Sequence, residues 1–365
     1  MALRVVESHA FKQILSEFPR QMKFCFAYGS GAFKQMNNQA SMLDLVFVVS
    51  NAEAWHAENQ MLNPRHYAQP MKFLGPKAIA KVQEQWGAKI YYNTLIDTAE
   101  GQKIKYGVIS EVSLVEDLLD WNDLYLAGRL HKPVKVVIEP KENSQLHTAL
   151  VQNLHSAVHA ALLLLPDNFQ ELDFYKTIAG LSYNGDFRMI FGENKDKVNN
   201  IVIPQLLQFR KVYKPILTHF EEYIDIPTDI TATCQQDTSP ATKIYHLNHL
   251  PRIPQVKLVK IWSGSRRLKD TEDCLRAIAY DPECSQILEE CLKSIVLRSS
   301  VTQSVKGIVT AGLMKSIKYG GAKIKKMFVV NADKQILPGK DKFEKIITTV
   351  VKKDSEPKDA GKRIQ

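Results

Sequence analysis

One charge inside an apolar run most constrains what this chain can be. Residues 42–49 read Met-Leu-Asp-Leu-Val-Phe-Val-Val. That is the pattern of a buried strand, and Asp44 sits within it. A lone buried carboxylate is unfavourable unless it is paired or bound to a metal. A second apolar strand, residues 22–27, precedes it and delivers the chain to Tyr28-Gly29-Ser30-Gly31. Small residues at such a turn let backbone N–H groups approach a polyphosphate, and Ser30 adds a hydroxyl donor. Mg²⁺ bridging Asp44 and triphosphate oxygens would satisfy the carboxylate, since this ion prefers carboxylate and phosphate oxygens. It would also neutralise charge at a transferred phosphorus. Spacing alone leaves the alternative open that Gly-Ser-Gly is an ordinary turn and Asp44 pairs with a lysine. Neither the Walker A pattern nor G-x-G-x-x-G occurs, so P-loop and Rossmann readings lack their fingerprints.

The rest of the chain organises around this pair. A helix is expected over 6–18, helices near 52–61 and 76–86, strands at 89–96 and 103–110, a helix at 111–121 and a strand at 134–138. Pro140 to Ser144 reads as a domain boundary. Beyond it the periodicity turns helical over 146–164, 170–181 and 197–222, and again at 271–279 and 284–297. The Thr- and Pro-rich stretch 226–256 reads as a linker or long loop. No segment reads as transmembrane: the run Ala160 to Leu165 is stopped by Pro166 and is too short to span a bilayer. The first 25 residues lack the apolar core of a secretory signal.

Charge is unevenly spread. Residues 315–365 hold 14 Lys/Arg against 6 Asp/Glu, whereas the whole chain is only +9. The near-neutral body argues against a nucleic-acid groove, and the basic end suits an anionic surface. On a helical wheel, Leu313, Ile317, Ile324, Met327 and Phe328 share one face of 313–328, and Lys315, Lys318, Lys323, Lys325 and Lys326 the other. That is the pattern of an interfacial helix. The five cysteines are scattered without a CxxC, as expected of structural thiols in a reducing compartment. His155 and His159 have zinc-compatible spacing but no evident third ligand, and read as ordinary helix-face residues.

Tyr28-Gly29-Ser30-Gly31 with Met42-Leu43-Asp44 resembles the nucleotidyltransferase-fold signature. Ala54-Trp55-His56, Asn63 to Tyr67, Tyr91-Tyr92-Asn93, Ile104 to Val108, Leu126 to Lys135, Leu181 to Arg188 and Gln303 to Gly312 narrow the likeness. Together they resemble the mitochondrial phosphatidate cytidylyltransferase family over about residues 10–326. The resemblance implies an α/β nucleotidyltransferase-fold catalytic domain, 1–140, and a mainly helical, winged-helix-like domain, 141–312, completing the cleft. The basic amphipathic helix, 313–330, and a disordered tail, 331–365, would follow. It implies CTP and phosphatidic acid as substrates, Mg²⁺ as cofactor, and peripheral attachment to the matrix face of the mitochondrial inner membrane for cardiolipin synthesis.

In that frame Asp44 is the catalytic metal ligand and Lys105 offsets triphosphate charge. Asn93, Tyr106, Asp186 and Arg188 join Tyr28 to Gly31 around the nucleotide, and Arg298 and Lys306 receive the lipid phosphate. One departure from the wider fold is Val46, where many relatives of the fold carry a second acid. A second metal would draw on Asp186, Glu116 or Asp117. Two other readings stay open: a nucleotidyltransferase for nucleic acids or small molecules, and a non-catalytic membrane scaffold.

Overall fold

Alternation of side chains along the apolar strands divides the molecule into layers. The computed structural model describes residues 9–33, 42–191, 196–264 and 270–311, all within one compact unit. Its main sheet is mixed, in the order β3 (Tyr91–Asp97), β4 (Lys103–Ser110), β2 (Leu43–Val49), β1 (Met22–Tyr28) and β5 (Lys135–Ile138). β2 and β4 run parallel, and the other neighbours are antiparallel.

Phe24, Phe26, Tyr28, Val46 and Val48 belong to one apolar cluster, and Cys25, Ala27, Leu45, Phe47 and Val49 to another. The sheet is therefore covered on both faces, which explains why its strands read as continuous apolar runs. On the second face lie α1 (His9–Ser16), α2 (Ala52–Leu62) and α3 (Gln69–Gln85), which contribute Ile14, Trp55 and Ala80. On the first lie α4 (Glu111–Asp120), α5 (Ala127–Leu130) and α6 (Gln145–Leu164), with Leu114, Leu118, Ala127, Leu146 and Leu150.

The first cluster continues into the second half of the chain. A three-stranded antiparallel sheet, β6 (Asn168–Gln170), β8 (Thr233–Gln236) and β7 (Ile224–Asp225), lies among helices there. These are α7 (Glu171–Gly180), α8 (Arg188–Phe191), α9 (Lys197–Val202), α10 (Leu206–Leu217), α11 (Pro240–Asn248), α12 (Arg252–Ser263), α13 (Thr271–Tyr280) and the long α14 (Cys284–Ala311). Near its end α14 is tied to the α3–β3 connection: Gln303 Oε1 accepts from Ala88 N at 3.0 Å, and Gln303 Nε2 donates to Ile90 O at 3.2 Å. No helix among the described residues is long and apolar enough to cross a membrane.

Three expectations change. Residues 226–256 are not one loop, because β8, α11 and the start of α12 lie within them. Pro240, Pro251 and Pro254 sit at helix starts, where a missing N–H has no intrahelical role, and only Pro227 lies in a connection. Pro240 follows Ser239, whose hydroxyl accepts from Thr242 N, and Pro251 is the N-cap of α12. The helix expected near 76–86 begins at Gln69 and is broken at Gly75. The helix expected to end near 297 continues to Ala311, placing Ser299 and Ser300 in its interior.

Candidate active site

The turn after β1 is pressed against Asp44. Tyr28 is the register partner of Asp44, and Gly29 takes φ +75°, which favours glycine. A Cβ at Gly29 would lie 3.1 Å from Asp44 Oδ2, and one at Gly31 only 2.5 Å from Met42 O. On the other side, Lys105 is Asp44's register partner across the parallel β2–β4 pair. Its Nζ stands 3.8 Å from Asp44 Oδ1 and 4.3 Å from the centroid of the Tyr92 ring. At 3.8 Å the pair is loose, and the Asp44 side chain keeps 21% of its surface exposed.

The facing wall comes from the segment around α5 and from the turn after α7. The Arg129 guanidinium lies 3.9 Å from the Tyr28 ring centroid. Its Nε is a buried donor with no hydrogen-bond partner. Lys132 is buried, donating to Gly128 O and, at 2.9 Å, to Ser182 Oγ. Burial, and then Arg129, push its pKa well below the usual lysine value. Arg188 donates Nε to both Asp186 oxygens, at 2.9 and 3.1 Å, and Nη2 to Oδ2. Phe187 N donates to Ser300 Oγ at 3.3 Å, fixing this turn to α14. Arg129, Lys132, Asp186, Arg188, Tyr125 and Ser300 line one pocket.

Tyr125 links the two walls. Burial acts to raise its phenol pKa, but the charges of Arg188, Lys105 and Arg129 outweigh that and lower it. Cations from β4, α5 and α8 thus converge on one phenol. A cleft with several cations near Asp44 and Asp186 suits a polyphosphate ligand.

Several expected residues are not brought here. Lys105 and Tyr106 alternate across β4, so Tyr106 points to the opposite face. There its hydroxyl lies 2.8 Å from Asn93 Nδ2, 3.0 Å from Asn59 Nδ2 and 3.0 Å from His66 Nδ1. Asn93 is occupied by that same contact. Lys306 is fully buried and donates to Gln83 O at 3.0 Å and Trp86 O at 2.7 Å; a solvent-borne lipid phosphate has no access to it. Arg298 donates to Asn122 O at 2.8 Å and lies 3.5 Å from Asp123. Lys315, Lys318 and Lys325 lie outside the described residues.

The acids offered for a second metal are also engaged. Asp186 is 3% exposed and held by Arg188. Glu116 pairs with Lys89, and Asp117 accepts four backbone N–H bonds, from Asp123, Leu124, Leu126 and Ala127. Among the described residues no three or more His, Cys, Asp or Glu side chains are grouped to hold a metal. Asp44, loosely paired and half open, still fits Mg²⁺, which binds through one or two carboxylates plus substrate phosphates and water. His159 is buried, its Nδ1 2.9 Å from His246 Nδ1.

Sequence reading passed over Arg129 and Lys132 as site residues. The signal was available: Arg129 is a lone charge in Leu124 to Leu130, otherwise uncharged and mostly apolar, just as Asp44 is in its strand.

Fold and site together define a mixed α/β protein in which a carboxylate–lysine pair on the sheet lies near a cationic pocket. The family model for mitochondrial phosphatidate cytidylyltransferase matches residues 11–326. Proteins named mitochondrial phosphatidate cytidylyltransferase are similar throughout. That of Danio rerio is 42% identical over 335 residues, covering 90% of this chain and 98% of its own. The Bos taurus protein is 45% identical over 334 residues, with 90% and 98% covered. The Drosophila melanogaster protein is 41% identical over 342 residues, with 88% and 99% covered. The chain belongs to this family.

Proposed function

We propose that this protein transfers cytidylate from CTP to phosphatidate, giving CDP-diacylglycerol and pyrophosphate for mitochondrial cardiolipin synthesis. The observation that supports the site assignment is the convergence of Lys105, Arg129 and Arg188 on Tyr125, with Lys105 3.8 Å from Asp44 and Arg129 Nε a buried donor lacking a partner. A buried unpaired donor is unfavourable unless a ligand oxygen meets it.

In this reading residues 1–140 are a nucleotidyltransferase-fold domain and 141–312 a winged-helix-like one, with the small sheet β6–β8–β7 as its wing. Backbone N–H groups of Gly29 to Gly31 and the Ser30 hydroxyl hold the triphosphate, with Tyr28 beside it. Asp44 is the ligand for Mg²⁺, which would polarise the α-phosphate and stabilise the departing pyrophosphate. Lys105 offsets triphosphate charge from one wall, and Arg129 and Arg188 bind phosphate oxygens from the other. Asp186 orients Arg188 through its bidentate pair. A phosphatidate oxygen attacks the α-phosphorus, and the bond from that phosphorus to the bridging oxygen breaks. The acceptor is already ionised near neutral pH, so no general base is needed. The work is positioning and charge neutralisation. Segment 313–330 anchors the enzyme peripherally to anionic lipid on the matrix face of the inner membrane.

The test is incubation of purified protein with Mg²⁺, phosphatidate vesicles and each of four radiolabelled nucleoside triphosphates. Label extracted into the organic phase from CTP alone is the expected result. Nucleotide binding without lipid labelling would redirect the acceptor to another phosphate or hydroxyl, and no binding at all would favour a scaffold.

A further inference from the structure

A surface at the Asp44 end of the sheet takes no part in the chemistry above. α2 ends in Met61 and Leu62, 78% and 56% exposed, and α3 carries Phe73 and Leu74, 87% and 63% exposed. Phe73 and Met61 are the most exposed large apolar side chains among the described residues. Their support is firm, because Met71 on the same turn is buried with Tyr67, Ile79 and Tyr91. Directly after Leu74 the helix breaks at Gly75, at φ 77° and ψ 174°, and Pro76 follows. Nothing lies within 4 Å of where a Gly75 Cβ would be.

Charge and position favour one occupant. From residue 61 to 83 the chain carries Arg65, Lys72, Lys77 and Lys81 and no Asp or Glu, and all four cations are exposed. Protein interface cores are depleted in lysine, whereas apolar side chains flanked by lysines suit the headgroup layer of an anionic bilayer. His66, on the turn between α2 and α3, has its Nδ1 3.0 Å from Tyr106 Oη. Tyr106 pairs with Leu45, next to Asp44 on β2, so this surface lies near the Asp44 end of the sheet, on the face opposite the site.

We propose that Met61, Leu62, Phe73 and Leu74 insert into the anionic bilayer holding the acceptor, with Arg65, Lys72 and Lys77 on its headgroups. This contact is separate from the basic segment 313–330, and it rests on the lipid-acceptor reading above. It delivers the active-site mouth to the plane in which the acceptor phosphate lies.

The experiment uses the full chain and its Phe73→Ser/Leu74→Ser double variant. Flotation is measured with phosphatidylcholine vesicles containing phosphatidate. Transfer is measured on those vesicles and on dihexanoyl phosphatidate dispersed as monomers. Burial of two such side chains predicts a vesicle partition coefficient lower by about tenfold or more in the variant. The rate on vesicles falls in step, while the rate on the monomeric acceptor and the thermal midpoint stay unchanged. Equal flotation of variant and wild type overturns the docking surface whatever the acceptor is. A wild type that floats better than the variant but labels neither acceptor overturns the lipid-acceptor reading and leaves the docking surface standing.

Discussion

The two faces of the main sheet use the same kinds of residue for opposite ends. On the Asp44 face, Lys105 stands 3.8 Å from Asp44, Arg188 closes on Asp186, and Arg129 Nε has no hydrogen-bond partner. On the other face, polar groups close on one another. His56 Nδ1 meets Tyr67 Oη at 2.8 Å, and His56 Nε2 meets Gln83 Oε1 at 2.9 Å. Asn59 Nδ2 donates to both Tyr67 Oη and Tyr106 Oη, at 2.9 and 3.0 Å. A satisfied network rigidifies and specifies a core; buried groups without a partner occur on both faces, Trp55 Nε1 and Tyr91 Oη on this one, so it is the neighbouring cations that single out Arg129 Nε. Resemblance to a family therefore does not by itself mean chemistry: residues 54–56 and 63–67 carried the likeness, yet they build the scaffold face.

This contrast can be broken in graded steps. Asp44→Ala should have the largest effect, lowering turnover by about a thousandfold or more through loss of the metal ligand, with the thermal midpoint within a few degrees of wild type. Activity above a few per cent in the labelled-CTP assay would remove Asp44 from the metal site. Arg188→Ala should lower kcat/KM by about a hundredfold. It should also lower stability, because Asp186 is left buried without its partner; paired kinetic and melting measurements separate the two effects.

Acidification should strike the buried histidines, among them His131 beside Lys132, lowered by burial to about 3, and His56 on the scaffold face. Burial moves the His56 pKa from 6.5 down to about 4. The unfolded chain then binds a proton that the folded protein does not between those values. The stability His56 contributes is thus fully present above pH 6.5 and is lost as pH falls toward 4, up to about 3 kcal/mol. Buried His246, at about 4, adds in the same direction, while Asp123, raised by burial to about 6, opposes it. Urea midpoints at pH 7 and pH 5 should therefore fall less for His56→Gln than for wild type; equal falls would contradict the assignment. The smallest effect is expected from Gln303→Ala, which removes two hydrogen bonds between α14 and the α3–β3 connection, about 1–2 kcal/mol. Its CTP kinetics should not change.

Much of this architecture was legible because strand and helix periods are local. β1 through β5 and the Gly29–Asp44 juxtaposition follow from apolar runs broken by one charge. What local patterns could not decide was which face of β4 carries the chemistry. Lys105 and Tyr106 are neighbours in sequence and both suit a nucleotide site, but strand alternation sends them to opposite sides, and only the register shows which one stands beside Asp44. Lys306 misled for a similar reason. A lysine in a family-like stretch reads as a surface cation, but its position on α14 drives it between Gln83 O and Trp86 O. The prolines of 226–256 were read as breakers because composition does not say whether a proline falls at a helix start or inside one.

The most direct test of the two-faced sheet is the initial rate of label transfer from CTP to phosphatidate by Arg129→Ala and by Tyr106→Phe, each beside its own thermal midpoint. Expected is a rate at least about a hundredfold lower for Arg129→Ala with little change in midpoint. Tyr106→Phe is expected to lose about 1–3 kcal/mol of stability, since two buried amide donors lose their acceptor and His66 Nδ1 loses its partner, while its rate stays within about threefold. A catalytic collapse in Tyr106→Phe with full activity in Arg129→Ala would place the chemistry on the wrong face of the sheet and contradict the assignment.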